Sequence, residues 1–443
     1  MEKTDFSKII EILKSGTSEE LQELVEKVHP ADILEAVEDR EDAHELLEKL
    51  PVDIVADVID EAEEEDKYEL LEDFPKTQQK RILNQMSSDE IADLVNQLEG
   101  PDKEEILSQL NKENRKDVDH LLRYDDECAG GIMTRDFLAL YEHKTVLETL
   151  NYLRKEVDSE SPYYLYAIDR QNHLKGVVSL RDIVVSDFDK EIADILNPNV
   201  MSVHVSEDQE EVAHTFEKYN FLLMPVVDDE NHLLGIITVD DIIDVIIDES
   251  TEDIHKMAGI NKEEKVDGSL WASVKSRLPW LVVNLLTAIF ASSVIDLFSD
   301  TIAKIVALSA VMTIISGMGG NAGTQSLTIV VRALSLGEID RDNAKRILFK
   351  EIGVGLFTGL VIGIFVALVA MYYEFNPIFG IIAGVAMVMN MICATFAGYS
   401  IPIILKKLHV DPALASAVFV TTVTDTLGFF FFLGLATLFI PYL

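Results

Sequence analysis

The sequence predicts a multidomain protein in which acidic soluble domains precede a helical membrane domain. The chain has 443 residues and a formal net charge of −41, yet 48% of its residues are hydrophobic. Residues 277–443 contain nine acidic and nine basic residues, so the entire negative charge belongs to residues 1–276. Apolar runs of about 20 residues, the length that spans a bilayer, are confined to the neutral part. An internal repeat lies between the two regions.

Residues 1–128 predict an all-α domain with acidic outer faces. The segment Glu45–Pro51, ELLEKLP, recurs as ELLEDFP at Glu69–Pro75. Short amphipathic helices that repeat in this way favour a stacked superhelix, whose apolar side chains form the core.

The repeat relates Leu165–Val184 to Met224–Ile243 at a constant offset of 59 residues. Each copy predicts a strand, a polar turn, a second strand and a helix that starts at Asp182 or Asp241. Helices are expected ahead of the copies, at Val146–Val157 and Glu210–Lys218. The identical pairs are Asp169/Asp228, Asn172/Asn231, His173/His232, Leu174/Leu233, Gly176/Gly235, Asp182/Asp241 and Ile183/Ile242.

This repeat resembles a tandem CBS domain, which would occupy residues 129–249, because the ending G-[VI]-[VI]-[ST]-[LV]-x-D occurs twice. CBS pairs generally sense adenine nucleotides or ions and regulate the domain to which they are attached. The resemblance implies an ATP-type site in the first copy at Tyr164, Arg181 and Asp182. The alternative is an empty cleft in which Asp182 only caps its helix.

A connecting helix is expected from Asp240 to about Trp271, and residues 250–276 are assigned to the connection. Like charges one turn apart on a helix oppose each other by about 0.2–0.5 kcal/mol per pair. An acidic stripe between a sensor and a membrane domain therefore favours a cation site, although a solvated face is the alternative. The stripe consists of Asp241, Asp244, Asp248 and Glu252, flanked by Glu249 and Asp253.

The C-terminal region, residues 277–443, predicts five membrane spans. Lysine and arginine alternate between the short connections, which places the N-terminus and the even-numbered connections inside the cell and the C-terminus outside. The charged start, Met1–Lys14, lacks the apolar segment of a signal peptide. The expected spans are Leu278–Leu297, Ile302–Val331, Ile352–Tyr372, Pro377–Leu405 and Ala413–Ile440.

Asp425 is the carboxylate that lies deep in an expected span. Thr421, Thr424, Asp425 and Gly428 share one helical face, and a carboxylate among hydroxyls suits a hard cation. A protonated or hydrogen-bonded structural aspartate is the alternative.

The second span is interrupted by small and polar residues. Its glycines, among them Gly320, allow backbone groups to line a path, although small-residue helix packing is the alternative. Asn284 and Asn390 are interpreted as interhelical hydrogen-bonding residues. A polar stripe is formed by Asn321, Thr324, Gln325 and Thr328.

Together these features resemble the MgtE-type magnesium channels and transporters, most specifically in the run from Asp411-Pro412-Ala413 to Thr421-Thr422-Val423-Thr424-Asp425. The resemblance implies a homodimer with Mg²⁺ bound at Asp425 in a pore between the two membrane domains. It also implies Asp411 at the cytoplasmic mouth and a plug helix that closes the pore when Mg²⁺ draws the cytosolic domains together. Asn220 departs from the family pattern, which can carry an acid there. The implied sensor acids are Asp208, Glu210, Asp241, Asp244, Glu249, Glu252 and Asp253.

The sequence alone is also compatible with other functions. The acidic charge argues against nucleic acid as a partner, and neither a P-loop nor a nucleophile–base constellation that would indicate an enzyme is found. Oxygen ligands favour Mg²⁺ but also accept Mn²⁺. Transport of Mn²⁺ or Co²⁺, efflux, a cation-coupled carrier with Asp425 as relay, and a membrane-tethered nucleotide sensor are the rival interpretations.

Overall fold

The computed structural model describes residues 6–38, 40, 42–155, 163–261, 264, 266, 268–340, 342–374, 376–414 and 417–443. The chain divides into two compact units, Met1–Ile246 and Ile247–Leu443. The first unit combines an all-α part with an α/β part, and the second is helical.

The all-α part consists of short helices joined by tight turns. Leu47 and Leu71, which are equivalent in the two ELLE segments, are fully buried in its core. Each segment ends in a proline, Pro51 or Pro75, that directly precedes the next helix, where a missing backbone N–H costs little. The helices are α1 Phe6–Ser15, α2 Ser18–Lys27, α3 Pro30–Val37, α4 Ala43–Leu47, α5 Val52–Asp60, α6 Glu64–Glu72, α7 Lys76–Ile82, α8 Ser88–Gln97, α9 Pro101–Gln109 and α10 Lys112–Leu121.

The two copies of the repeat form matching three-stranded sheets. In each sheet the first strand is parallel to the middle strand, and the middle strand is antiparallel to the third. The strands are β1 Ala139–Tyr141, β2 Tyr164–Ile168 and β3 Leu174–Ser179 in one sheet, and β4 Val203–His204, β5 Leu223–Val227 and β6 Leu233–Thr238 in the other.

The helices of this part differ in their bounds from the sequence expectation. They are α11 Val146–Leu153, α12 Leu180–Val185 and α13 Gln209–Tyr219. The first ends at Leu153 rather than Val157, and residues 156–162 lie outside the described part of the chain. Helix α12 starts two residues before Asp182, because Ser179 is its N-cap.

The polar turns between the paired strands join the two copies. Asn172 and Asn231 adopt left-handed backbone conformations, with φ of 67° and 65°, which asparagine tolerates better than most residues. The Leu174 amide donates to the Asn231 carbonyl, and the Leu233 amide donates to the Asn172 carbonyl, both at 2.9 Å. The rings of His173 and His232 stack with centroids 4.6 Å apart. The two copies of the sequence repeat therefore contact each other symmetrically through these turns.

Helix α14, Val239–Ala258, is shorter than the expected connection to Trp271. It ends because Gly259 takes φ of 73°, a left-handed conformation that closes helices. The Gly259 amide donates to the Lys256 carbonyl, and the Ile260 amide donates to the His255 carbonyl. The prediction of one continuous connecting helix was wrong.

The C-terminal unit contains five long helices among its described residues, and four of them are long and apolar enough to cross a membrane: Leu270–Asp296 (α15), Ala344–Glu374 (α18), Pro377–Lys407 (α19) and Ala417–Leu438 (α20). The fifth, Ala307–Ser335 (α17), has 29 residues, but its glycine-rich polar segment makes it less apolar. The expected span from Ile302 was wrong at its start, because Ile302 belongs to a separate short helix. This short helix is α16, Ser299–Lys304.

Helix α19 forms the centre of this unit, between α17, α18 and α20. It meets α18 so closely that a Cβ atom added at Gly384 would lie 2.8 Å from the Gly363 carbonyl oxygen, and the converse also holds. Small residues allow this backbone approach in membrane bundles. Most of α19 is buried, whereas most of α15 is exposed.

Replacing Asn172 tests the turn that joins the two copies. Asn172→Val should lower the free energy of unfolding by about 1–2 kcal/mol, because a β-branched residue disfavours the left-handed conformation. Asn172→Gly should stay close to wild type. Urea unfolding of residues 1–261 measures both variants, and equal destabilisation by valine and glycine would contradict the assignment.

Candidate metal-binding sites

Asp425 lies on α20 beside the polar part of α17. Its carboxylate accepts a hydrogen bond from the Ser316 hydroxyl, and its side chain is half-buried. The described residues provide no lysine or arginine ion pair for it. The site therefore offers an anionic oxygen whose protein partner is a neutral hydroxyl.

Thr421 and Thr424 lie against Gly320, since a Cβ atom at Gly320 would lie 3.4 Å from Thr421 Cγ2 and 4.0 Å from Thr424 Oγ1. Both hydroxyls donate to carbonyls of their own helix, which leaves their oxygens as acceptors. Thr424 is fully buried, which favours a packing role, whereas Thr421 is half-buried. The structure thus brings Gly320, Thr421 and Thr424 together.

Two asparagines of the long helices, Asn321 and Asn390, have different surroundings. Asn321 is exposed in the single chain. Asn390 is fully buried on α19, in the space left by Gly319 and Gly428, and its amide donates to the Ile315 carbonyl at 2.8 Å. The interhelical role predicted for Asn390 is confirmed.

Asp411, at the entrance to α20, is held from two sides. Its Oδ1 accepts from the Ala413 amide at 2.7 Å, and its Oδ2 lies 2.5 Å from Lys256 Nζ on α14. The same ammonium pairs with Glu252. Asp253 accepts from the Ser335 hydroxyl at 2.8 Å, and burial raises the pKa of its carboxyl. Two expected sensor acids are therefore already engaged by protein groups here.

A three-carboxylate cluster in the N-terminal unit joins α8 to the start of α14. Asp89, Glu90 and Asp241 each place one oxygen within 4.8 Å of the other two. Asp89 is buried, and its Oδ1 has no hydrogen-bond partner. Three converging carboxylate oxygens with an unsatisfied buried acceptor are a suitable ligand set for Mg²⁺ or another hard divalent cation.

The electrostatics of this cluster favour a bound cation. Burial, followed by repulsion from Asp241, raises the pKa of Asp89, and burial also raises the pKa of Asp241. Lys67, itself buried, pairs with Glu90 at one side. A divalent ion would replace the repulsion between Asp89 and Asp241 with attraction to both.

The other expected sensor acids are more dispersed. Asp208 is the N-cap of α13 and accepts from the Glu210 amide at 2.9 Å. Asp244 is exposed on α14, and Glu249 is half-buried further along the same helix. Asn220 ends α13 in a left-handed conformation with φ of 53°, which gives a structural reason for an asparagine there.

The three residues expected at a nucleotide lie at the start of β2 and just after the end of its partner strand β3. Tyr164 pairs across the sheet with Ser179, and the Ser179 hydroxyl donates to Asp182 Oδ2 at 2.6 Å. Arg181 and Asp182 are exposed in the first turn of α12. Thr238 and Asp241 repeat the hydroxyl–carboxylate contact in the second copy, also at 2.6 Å.

Four residues of these sites, and one further buried carboxylate, were not predicted from the sequence. Ser316 precedes Gly320 by one helical turn, a spacing that indicates a shared face. Asp89 and Glu90 looked like ordinary acids in a helix's first turn, and Lys256 like a C-terminal helix charge. Glu351 is a buried carboxylate that pairs with Ser326 and, at 3.2 Å, with Lys350, although it lies just outside the span that was expected to begin at Ile352.

Three family models match the chain in succession. Residues 28–127 match the MgtE intracellular N domain, and residues 129–187 and 192–248 match the CBS domain. Residues 312–435 match the MgtE family, described as divalent cation transporters.

Whole-chain relatives agree with these matches. The magnesium transporter MgtE of Bacillus subtilis is 35% identical over 98% of this chain and 97% of its own length. That of Thermus thermophilus is 35% identical over 97% of both chains. Among solved structures, the soluble part of a magnesium transporter is 40% identical and covers 55% of this chain and 98% of its own, with a TM-score of 0.52. The cytosolic domain of the Mg²⁺ channel MgtE in complex with ATP is 36% identical and covers 54% and 99%, with a TM-score of 0.50.

The substitution Asp241→Asn tests the carboxylate cluster, because it should stabilise the metal-free protein but reduce the stabilisation that Mg²⁺ provides. Asp241→Asn should stabilise metal-free protein increasingly as pH rises above 3.8, because the raised pKa means that the folded state disfavours the ionised acid. With millimolar Mg²⁺ at neutral pH, the same variant should gain less stability than wild type. Thermal unfolding of residues 1–261 in EDTA or Mg²⁺ measures both effects. Asp126→Asn, which neutralises an exposed acid outside the cluster, is the matched control; equal behaviour of the two variants would contradict the site.

Proposed function

Because the chain belongs to the MgtE family of magnesium transporters, we propose that it conducts Mg²⁺ into the cell down its electrochemical gradient through a pore that Asp425 lines. The observation that carries this proposal is the half-buried Asp425 carboxylate, which accepts a hydrogen bond from the neutral Ser316 hydroxyl and has no lysine or arginine ion pair among the described residues. A membrane protein that places an ionisable group at this depth does so at a cost, and such groups commonly serve ion pathways.

The chemistry of the site supports Mg²⁺ as the transported ion. Mg²⁺ dehydrates reluctantly, so one carboxylate, with the oxygens of Thr421 and the Gly320 backbone nearby, can hold an ion that keeps several waters. Asn321 completes the candidate pore residues, whereas Thr424, which was also expected there, is fully buried and supports them by packing. No ATP-driven step is needed, since two charges that fall through 100 mV gain about 4.6 kcal/mol.

The polar surface of α17 supports the proposal that the protein is a homodimer. Asn321, Gln325 and Thr328 are exposed in the single chain. Exposed amides and hydroxyls are unfavourable in lipid but favourable beside a water-filled path. A second copy that faces this stripe would enclose the path and supply a second Asp425.

The proposed topology has five spans, with the N-terminus in the cytoplasm and the C-terminus outside. The basic residues in alternate connections support it. In this scheme residues 1–128, 129–249 and 250–276 form the N-domain, the CBS pair and the connection, and residues 277–443 form the pore domain.

Regulation is proposed to run as negative feedback by cytosolic Mg²⁺. The ion would bind the Asp89–Glu90–Asp241 cluster and the acids of α14, which draws the soluble domains together and holds α14 against the mouth at Asp411. The ion must bind the closed form more tightly than the open form, because equal affinity shifts no equilibrium. The remaining candidate acids are Asp208, Glu210, Asp244, Glu249, Glu252 and Asp253.

Asp425→Asn should lower Mg²⁺ uptake into proteoliposomes roughly tenfold or more, because the amide removes the charge that offsets ion dehydration. Asp296→Asn, which removes an exposed carboxylate from the same unit, should retain uptake. Normal uptake by purified Asp425→Asn would contradict the pore assignment. Faster Mn²⁺ or Co²⁺ uptake by wild type would favour the alternative divalent transporter, and flux that requires a proton or sodium gradient would favour a coupled carrier.

ATP binding at the CBS pair is a second proposed property. The position of Tyr164 at the start of β2, paired with Ser179 and close to Asp182, supports it, because an aromatic ring and a carboxylate can contact a base and a ribose. A relative's cytosolic domain was solved in complex with ATP. The Ser179 contact uses one carboxylate oxygen and therefore leaves the other for a ligand.

Calorimetry of the full protein with ATP should detect binding that Asp182→Ala weakens roughly tenfold, because a charge-assisted hydrogen bond is lost. Asp187→Ala, an exposed acid of the same region, should bind as wild type does. Heats that are absent with every adenine nucleotide, with and without Mg²⁺, would contradict the proposal and leave Asp182 as a capping residue.

A further inference from the structure

The last two turns of α14 dock onto the helices of the C-terminal unit. Met257 packs against an apolar cluster of Leu327, Val331, Ala413 and Val420. The Ser335 hydroxyl on α17 donates to Asp253 one turn earlier. This end of the helix is therefore fixed by both apolar and polar contacts.

Lys256 supplies the charged part of this docking. Its Nζ lies 2.5 Å from Asp411 Oδ2 and also pairs with Glu252. The three side chains are between one sixth and one third exposed. Burial alone would lower the pKa of Lys256, but the bonds to Asp411 and Glu252 outweigh burial and raise it, so the side chain stays charged.

The two partners of Lys256 differ in whether their contact depends on the docking of α14. Glu252 is one turn away on the same helix, so this pair can persist wherever the helix goes. Asp411 lies on the segment that leads into α20 and is itself oriented by the Ala413 amide. The Lys256–Asp411 contact therefore exists only when α14 is docked, and an interaction made in one state alone shifts the balance toward that state.

We propose that Lys256 is a tethered cation that holds α14 at the pore mouth without metal, so that Mg²⁺ reinforces closure rather than creating it. The proposal rests on the proposed Mg²⁺ channel function. The ammonium neutralises the mouth carboxylate Asp411, which a permeating cation would otherwise meet, and it offsets the repulsion between Asp411 and Glu252. A lysine that merely competed with Mg²⁺ for these carboxylates would have the opposite effect on closure.

Lys256→Met tests the proposal, because it keeps an apolar stem of similar length and removes the charge. In patch recordings of the full protein, the cytosolic Mg²⁺ concentration for half-closure should rise roughly tenfold, as expected for one lost charge-assisted hydrogen bond. Lys256→Arg keeps the charge and should shift this concentration much less. Lys407→Met removes the same charge from an exposed position in the same unit and is the matched control.

A second measurement needs neither Mg²⁺ nor flux. Ala413 is buried in the apolar cluster against which Met257 packs, so the reaction of Ala413→Cys with a water-soluble maleimide reports undocking, in a background with Cys128 and Cys393 replaced by serine. In EDTA, adding Lys256→Met should speed this reaction roughly tenfold, whereas adding Lys407→Met should not.

The outcomes separate the two proposals. Half-closure of Lys256→Met at lower or unchanged Mg²⁺, or an unchanged maleimide rate, would overturn the role of Lys256. If the wild-type protein showed no Mg²⁺ flux, the channel function would be overturned instead. A faster maleimide reaction in Lys256→Met would then still support the metal-free docking contact between Lys256 and Asp411.

Discussion

The proposed regulation depends on one constraint. The fold holds several carboxylates close together without an equal number of cations. Packing of α8 against the start of α14 brings Asp89, Glu90 and Asp241 within 4.8 Å of one another, and Lys67 balances only one side. Burial makes their charge more costly, because water no longer screens it. Protonation, separation or a bound divalent ion can relieve this cost. At neutral pH a bound divalent ion would do so without separating the helices, which would link metal binding to the packing of α8 and α14.

The repeat shows how much of the fold the sequence could predict. Asp169 and Asn172, with their counterparts 59 residues on, define a turn whose backbone conformation favours these residue types, so strand, turn and strand were predictable locally. The end of α14 was missed although Gly259 followed His255 and Lys256, a standard C-terminal pattern, because the expected connection to the membrane favoured a longer helix. The break at Ile305 between α16 and α17 had no such signal, since neither glycine nor proline occurs between Ser299 and Ser316.

The candidate sites divide along similar lines. Asp425 was predictable because a charge within an apolar run is visible over one helix. Its partner Ser316 is 109 residues away, and the Asp411 partner Lys256 is 155 residues away. Such pairs depend on which helix faces which, and periodicity does not specify that. Asp89 resembled many other first-turn acids, and only the tertiary contact with Asp241 distinguishes it. Local chemistry thus identified single residues, whereas the packing of distant elements identifies the sites.

Fixed and diffusible cations have different physical roles in such a protein. A lysine of the chain is present at a constant effective concentration. It therefore contributes a fixed amount to the equilibrium between docked and undocked states and does not respond to the Mg²⁺ concentration of the cell. Mg²⁺ shifts that balance only as its concentration changes. Moving an equilibrium from 1:99 to 99:1 requires a difference of about 10⁴-fold in affinity between the states. Two or three oxygens that hold a hydrated ion weakly cannot supply this alone. Weak sites at separate places, at α8 with the start of α14 and at the end of α14, would multiply their preferences and make the response steep. The proposed contact of Lys256 with Asp411, which already favours docking, would reduce what each site must contribute to closure.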